Sequence, residues 1–194
     1  MGNREALVEG AKECLLEKGY SRTTARDIAT AAGVSLAAIG YHFGSKETLL
    51  NEALRELLIN EWAPAATNSV RAAARAPHEQ FVATWGQIVD SLANPRLRAL
   101  WTAQFEVLSL GASMPELVSD LSKMQGEARE GLAHMFGGVA PDADPEEVQA
   151  IGSLLQAMLL GVVAQSMFDP DTAPTGEELA KSLRALADRV SPSA

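Results

Sequence analysis

Several ingredients are scarce in this chain. Among 194 residues there is one cysteine, Cys14, so an intramolecular disulfide is excluded, and so is a zinc site built on cysteines. The three histidines, His42, His78 and His134, stand far apart, and none has a second ligand at metal-binding spacing. Neither a phosphate-cradling glycine loop nor a nucleophile motif is present. These absences argue against an enzyme, and no cofactor or metal is expected. The start, Met1-Gly2-Asn3-Arg4-Glu5, lacks the apolar core of a signal peptide. Long hydrophobic runs are missing too. The most apolar stretch, residues 150–168, is interrupted by Ser153, Gln156, Gln165 and Ser166, which favours a buried helix over a membrane span. A soluble, cytoplasmic protein with no membrane partner is expected.

What is there reads as globular: 47% hydrophobic and 21% charged residues. Lys+Arg number 16 against 25 Asp+Glu, a formal charge of −9. The first 50 residues hold six of each sign and are neutral, so the whole negative charge falls on residues 51–194. A neutral segment on an acidic body suggests two jobs.

Glycines and prolines cut the chain into helix-length pieces, and the alternating β-branched runs of strands are absent. The expectation is an all-α fold of about nine helices, with a helix-turn-helix domain in residues 1–47 and a helical bundle in 48–194. Helix 1 covers about 4–18, and helix 4 runs from about residue 46 to 63 or beyond. Later helices fall near 78–93, 96–110, 116–136, 145–167 and 176–190.

Residues 20–50 carry the sharpest pattern. Thr24 can cap a short helix with Asp27 in its first turn. Gly33 sits where a tight turn needs positive φ. Ser35 can cap a second short helix over 36–41. Gly44 breaks the chain, and Ser45 caps the next helix. Two short helices crossing closely at Ala29, Gly33, Val34 and Ile39 form a helix-turn-helix layout.

Thr23-Thr24, Arg26-Asp27-Ile28-Ala29, Ala32-Gly33-Val34-Ser35, His42-Phe43 and Ser45-Lys46-Glu47, at these spacings, resemble the TetR family of transcriptional regulators. The family commonly has an aromatic residue where this chain has Gly40. The resemblance implies binding to double-stranded DNA, with Arg26 at a base-contacting position and able to grip guanine bidentately. Leu36, Ala37 and Ala38 of the recognition helix can touch only thymine methyls or sense shape, with Ser35 adding a polar contact. Phosphate contacts are expected from Thr24, Tyr41, His42 and Lys46. A helical adaptor with a degenerate helix-turn-helix is the alternative reading.

In the acidic body, Phe81, Trp85, Trp101, Phe105 and Met124 fall on inward helix faces. They read as core, or as the walls of an apolar site for a small hydrophobic or aromatic effector, with Gln104 as its polar contact. Glu106 falls away from the Trp101 face and reads as a solvated or interface carboxylate. Helix 8 is apolar nearly all round and needs a partner. Leu155, Leu159 and Val162 on it, with Leu179, Leu183 and Leu186 at coiled-coil spacing on helix 9, predict a homodimer interface. The family resemblance implies the same: helices 4 to 7 enclose the effector and the last two dimerise.

Overall fold

The computed structural model describes residues 2–66, 76–111, 115–136, 138–140 and 142–190, without the side chains of residues 77, 111, 115–122, 124 and 135. Every described element is helical: α1 Asn3–Lys18, α2 Ala25–Ala32, α3 Ala37–Phe43, α4 Lys46–Leu57, α5 Pro77–Ser91, α6 Pro95–Gly111, α7 Pro115–Phe136, α8 Pro145–Phe168 and α9 Gly176–Val190. A π-helical turn, Leu58–Trp62, extends α4.

Local chemistry sets the starts. Thr24 opens α2 with a capping box: its Oγ1 accepts the Asp27 N–H at 3.2 Å while Asp27 Oδ2 accepts the Thr24 N–H at 2.9 Å. Ser45 Oγ accepts the Thr48 N–H at 3.0 Å. Asn94 and Asp144 precede Pro95 and Pro145, pairing a capping side chain with proline at the first helical position. Thr175 and Glu178 form a second capping box at α9. Ser35 differs from expectation. α3 begins at Ala37, and Ser35 contributes its backbone carbonyl to the Ala38 N–H at 3.0 Å.

The chain forms two compact units, residues 1–64 with 94–124, and residues 65–93 with 125–194. In the first, α1 packs on α2, α3, α4 and α6. Its core includes Leu7, Leu15, Ile28, Leu49, Leu50, Leu54, Leu100 and Val107, all fully buried. Cys14 is buried in it, and burial raises its thiol pKa. In the second, α5 packs on α8 and α9.

The π turn decides which side chain of α4 faces inward. Leu50, Leu54 and Leu57 keep helical spacing, and an uninterrupted α-helix would next point Glu61 into the core. The Ala63 N–H instead bonds to Leu58 O, five residues back. The extra residue turns Trp62 inward and leaves Glu61 at the surface, paired with Arg96 at 2.6 and 2.8 Å.

α8 is long and apolar enough to cross a membrane by length and composition alone. Val148, Gly152, Leu155, Leu159, Val162, Val163 and Ser166 form its buried side. Leu155, Leu159 and Val162 are therefore core residues of their own chain, which corrects their expected place at a dimer surface. The opposite side carries exposed Ala150, Leu154, Ala157, Gly161, Gln165 and Phe168, spaced by three or four residues.

Candidate DNA interface and effector region

The helix-turn-helix is α2, a turn at Gly33 and α3. Gly33 adopts φ 65° and ψ 28°, the left-handed region, and its N–H bonds back to Thr30 O at 3.2 Å. The Val34 N–H bonds to Ala29 O at 3.1 Å and closes the turn. Ile28, Ala29, Ala38 and Ile39 are buried where the helices meet.

Six basic side chains lie in the first 50 residues, and five are already engaged. Arg4 pairs with Glu52, Lys12 with Glu9 and Glu56, and Lys18 with Asp27 at 2.7 Å. Arg22 Nε donates to Lys18 O at 2.7 Å. Lys46 donates to Thr23 O at 3.0 Å and lies 3.4 Å from Glu47. Arg26 alone of the six has a side chain without a hydrogen bond or ion pair among the described residues, and it is exposed. The Lys18 ammonium and the Thr24 donors hold the Asp27 carboxyl well below the usual carboxylate range. The charge beside Arg26 on α2 is thereby tied back to the head.

The recognition helix and the turn before it carry exposed apolar side chains. Leu36 is 51% exposed and Tyr41 86%. Ala37 and Ser35 are also exposed. Tyr41 stands edge-on to His42 at 4.9 Å between centroids. Ala38 departs from expectation. It is 8% exposed and packs inward, because the helix starting at Ala37 turns residues 38 and 39 toward the core. Thr24 is exposed, with its hydroxyl committed to Asp27 at 2.6 Å.

The effector candidates divide between the two units. Phe81 and Trp85, on α5, lie 5.8 Å apart between centroids. On α6, Trp101 stands tilted against Phe105 at 6.2 Å, and Trp62 meets it edge-on at 5.2 Å. Sequence periodicity does not single out Trp62, because only the π turn brings it inward. Gln104 is 7% exposed and its Oε1 has no hydrogen-bond partner among the described residues; the same holds for Trp101 Nε1 and Trp85 Nε1. The Met124 side chain lies outside the described residues.

Glu106, one residue beyond Phe105, reaches the head. Its Oε2 accepts the Ser21 N–H at 2.8 Å. Gly19 has φ +82°, which favours glycine; a Cβ there would sit 2.8 Å from Glu106 Oε1, the movable end of a flexible side chain. An apolar-periodicity reading places Glu106 on the outer side of α6 but cannot show what lies opposite.

A buried three-helix head with one uncommitted arginine and an apolar recognition face defines a helix-turn-helix DNA-binding protein. Comparison with known proteins narrows this. The family described as "Bacterial regulatory proteins, tetR family" matches residues 7–53, and "Tetracyclin repressor-like, C-terminal domain" matches residues 76–189. The chain belongs to the TetR family of transcriptional regulators. Members of this family are DNA-binding regulators rather than enzymes. Over 107 residues it is 36% identical to the transcriptional repressor KstR2 of Mycobacterium tuberculosis, covering 54% of this chain and 44% of that one. Over 54 residues it is 43% identical to the repressor AcnR of Corynebacterium glutamicum, 28% of this chain and 29% of that one. The chain thus spans less than half the length of these curated relatives. A transcriptional regulator from Rhodococcus sp. RHA1 shares the fold with a TM-score of 0.64, 21% identity and coverage of 98% and 99%. The multidrug binding protein EbrR, complexed with imidazole, does so at 0.58, 21% identity and coverage of 100% and 97%.

Proposed function

We propose that the chain is a repressor that binds a pseudo-palindromic operator as a homodimer and is released by a small, mainly hydrophobic or aromatic effector. The observation that carries DNA readout is the uncommitted, exposed guanidinium of Arg26 on α2, together with the exposed Leu36 and Tyr41 of the recognition segment. A guanidinium with no internal partner keeps its full hydrogen-bonding fork for a guanine edge. Leu36, Ala37 and Tyr41 offer contact to thymine methyls and groove walls, and Ser35 a polar contact. Phosphate contacts fall to Thr24, Tyr41, His42 and Lys46. Lys46 keeps donors beyond the one it gives to Thr23. Ala38 is left out of this set because it is buried.

Residues 1–47 read DNA and residues 48–194 sense the effector and dimerise. KstR2 and AcnR are both named as repressors, which favours repression over activation. The dimer surface is the exposed side of α8, with Leu154, Ala157, Gly161 and Phe168, joined by Leu186 and Val190 of α9. Leu179 and Leu183 are partly covered within their own chain. Small residues in that stripe let two copies of α8 approach closely, and a two-fold arrangement buries both at once. The effector site lies in the first unit, at Trp101, Gln104 and Phe105 with Trp62; Phe81 and Trp85 form a separate aromatic pair in the second unit. A regulator of this kind acts in the cytoplasm, where the chromosome is.

Selection of bound sequences from a random DNA pool tests the reading. It should return an inverted repeat with half-sites about one helical turn apart. Repeating the selection with Arg26→Ala should relax one base position per half-site. An unchanged preference rules out the Arg26 assignment, and the absence of any enriched sequence rules out the operator.

A further inference from the structure

Two polar atoms on one face of α6 are buried with nothing to bond. Trp101 Nε1 is a donor without an acceptor, and Gln104 Oε1 is an acceptor without a donor, among the described residues. Both residues are buried, at 2% and 7% exposure. Positions i and i+3 are neighbours on a helix surface, so the two side chains leave the helix side by side. Trp101 lies among aromatic rings, with Trp62 edge-on to it and Phe105 tilted against it. A buried amide oxygen without a donor costs stability, whereas an apolar side chain of the same length would not.

We propose that Trp101 and Gln104 form the polar end of the effector site and recognise a neutral, ring-bearing molecule through one hydroxyl. The hydroxyl oxygen accepts from Trp101 Nε1 and its O–H donates to Gln104 Oε1. This deepens the effector reading above and rests on it. A hydroxyl is the smallest group that answers both atoms. An ether answers only the indole, and a hydrocarbon answers neither. A carboxylate brings no proton for Gln104 Oε1 and carries its charge into an apolar site. The order of preference is therefore alcohol or phenol, then ether, then hydrocarbon, with the acid rejected.

Four probes of one ring system test this: naphthol, methoxynaphthalene, naphthalene and naphthoate. Binding is read by tryptophan fluorescence, and release is read on the operator selected above. Naphthol should bind about ten- to a hundredfold more tightly than naphthalene, with methoxynaphthalene between them. Gln104→Met should bring naphthol down to the level of methoxynaphthalene. The same variant should raise the thermal midpoint of the ligand-free protein, since it removes an unbonded acceptor and keeps the side-chain volume. A midpoint that falls means Gln104 has a structural partner, and the proposal is overturned. Equal binding of naphthol and methoxynaphthalene, preferred binding of naphthoate, or no binding of any probe overturns it as well. If operator binding survives those failures, the DNA-binding reading stands and only the hydroxyl site is lost. A protein that binds no operator takes both down.

Discussion

Arg26 and Asp27 are adjacent on α2 and have opposite fates. Asp27 is bound by Lys18 and by both donors of Thr24, whereas Arg26 has no internal partner for its side chain among the described residues. Arg26→Ala should leave folding intact and cost about 1–3 kcal/mol of discrimination at one base position, measured by competition between operator variants. Asp27 makes the opposite prediction, about stability. Its carboxyl is held below the ordinary value, so as pH falls the unfolded chain takes up the proton first. The stabilisation from this carboxylate is complete above the ordinary carboxylate range of about pH 4 and fades as pH drops toward its folded value. Denaturant midpoints of wild type and Asp27→Asn should differ at neutral pH and converge on acidification. A constant gap down to the acid limit would mean that the charge of Asp27 does not support the cap.

At the scale of elements, α4 and α6 both join the head to the rest of the first unit. α4 begins at Lys46, beside the recognition helix, and its π turn places Trp62 against Trp101. α6 carries Trp101, Gln104 and Phe105, and through Glu106 holds the turn that leads into α2. A molecule that moves α6 must therefore pull on Ser21 as well as on Trp62. Glu106→Ala removes one partly exposed hydrogen bond and should cost about 0.5–1.5 kcal/mol of stability. Its operator affinity without effector should stay within about threefold of wild type, while the effector concentration needed for release rises. Titration of operator release in the two proteins checks this. If release is unchanged, the signal leaves through α4 alone.

For the whole molecule, the two sides of α8 make contrasting predictions. Leu154 is 54% exposed, and Leu155 is 6% exposed. Leu154→Glu should give a folded chain that sediments as a monomer, because charge on the proposed dimer surface blocks association and leaves the core untouched. Leu155→Ala should instead lower unfolding stability by about 2–5 kcal/mol, as buried leucine truncations do. Sedimentation and denaturant melts separate the outcomes, and a dimeric Leu154→Glu would remove this face from the interface. The charge of −9 adds a further expectation. Operator binding should fall only gently with added salt, since few cations displace counterions from the phosphates and salt also screens the repulsion between the acidic body and DNA.

The amino-acid order by itself determined what depends on neighbours in sequence. Caps at Thr24 and Ser45, the glycine turn at Gly33, the prolines opening α6 and α8, and the all-helical class are short-range chemistry and need no knowledge of what lies opposite. The same holds for Arg26, whose place two residues after a capping threonine fits the helix-turn-helix pattern. Tertiary structure decided everything that depends on which side of a helix meets what. Periodicity marks α8 as apolar all round, but only packing assigns Leu155, Leu159 and Val162 to the core and leaves Leu154 and Phe168 outside. Ala38 and Ala37 are chemically identical, and a start at Ala37 buries the former. One extra residue in the π turn rotates Trp62 into the aromatic cluster, and the partner of Glu106 lies 85 residues away at Ser21. Each of these turns on a rotation or a distant contact, and residue type along the chain specifies neither.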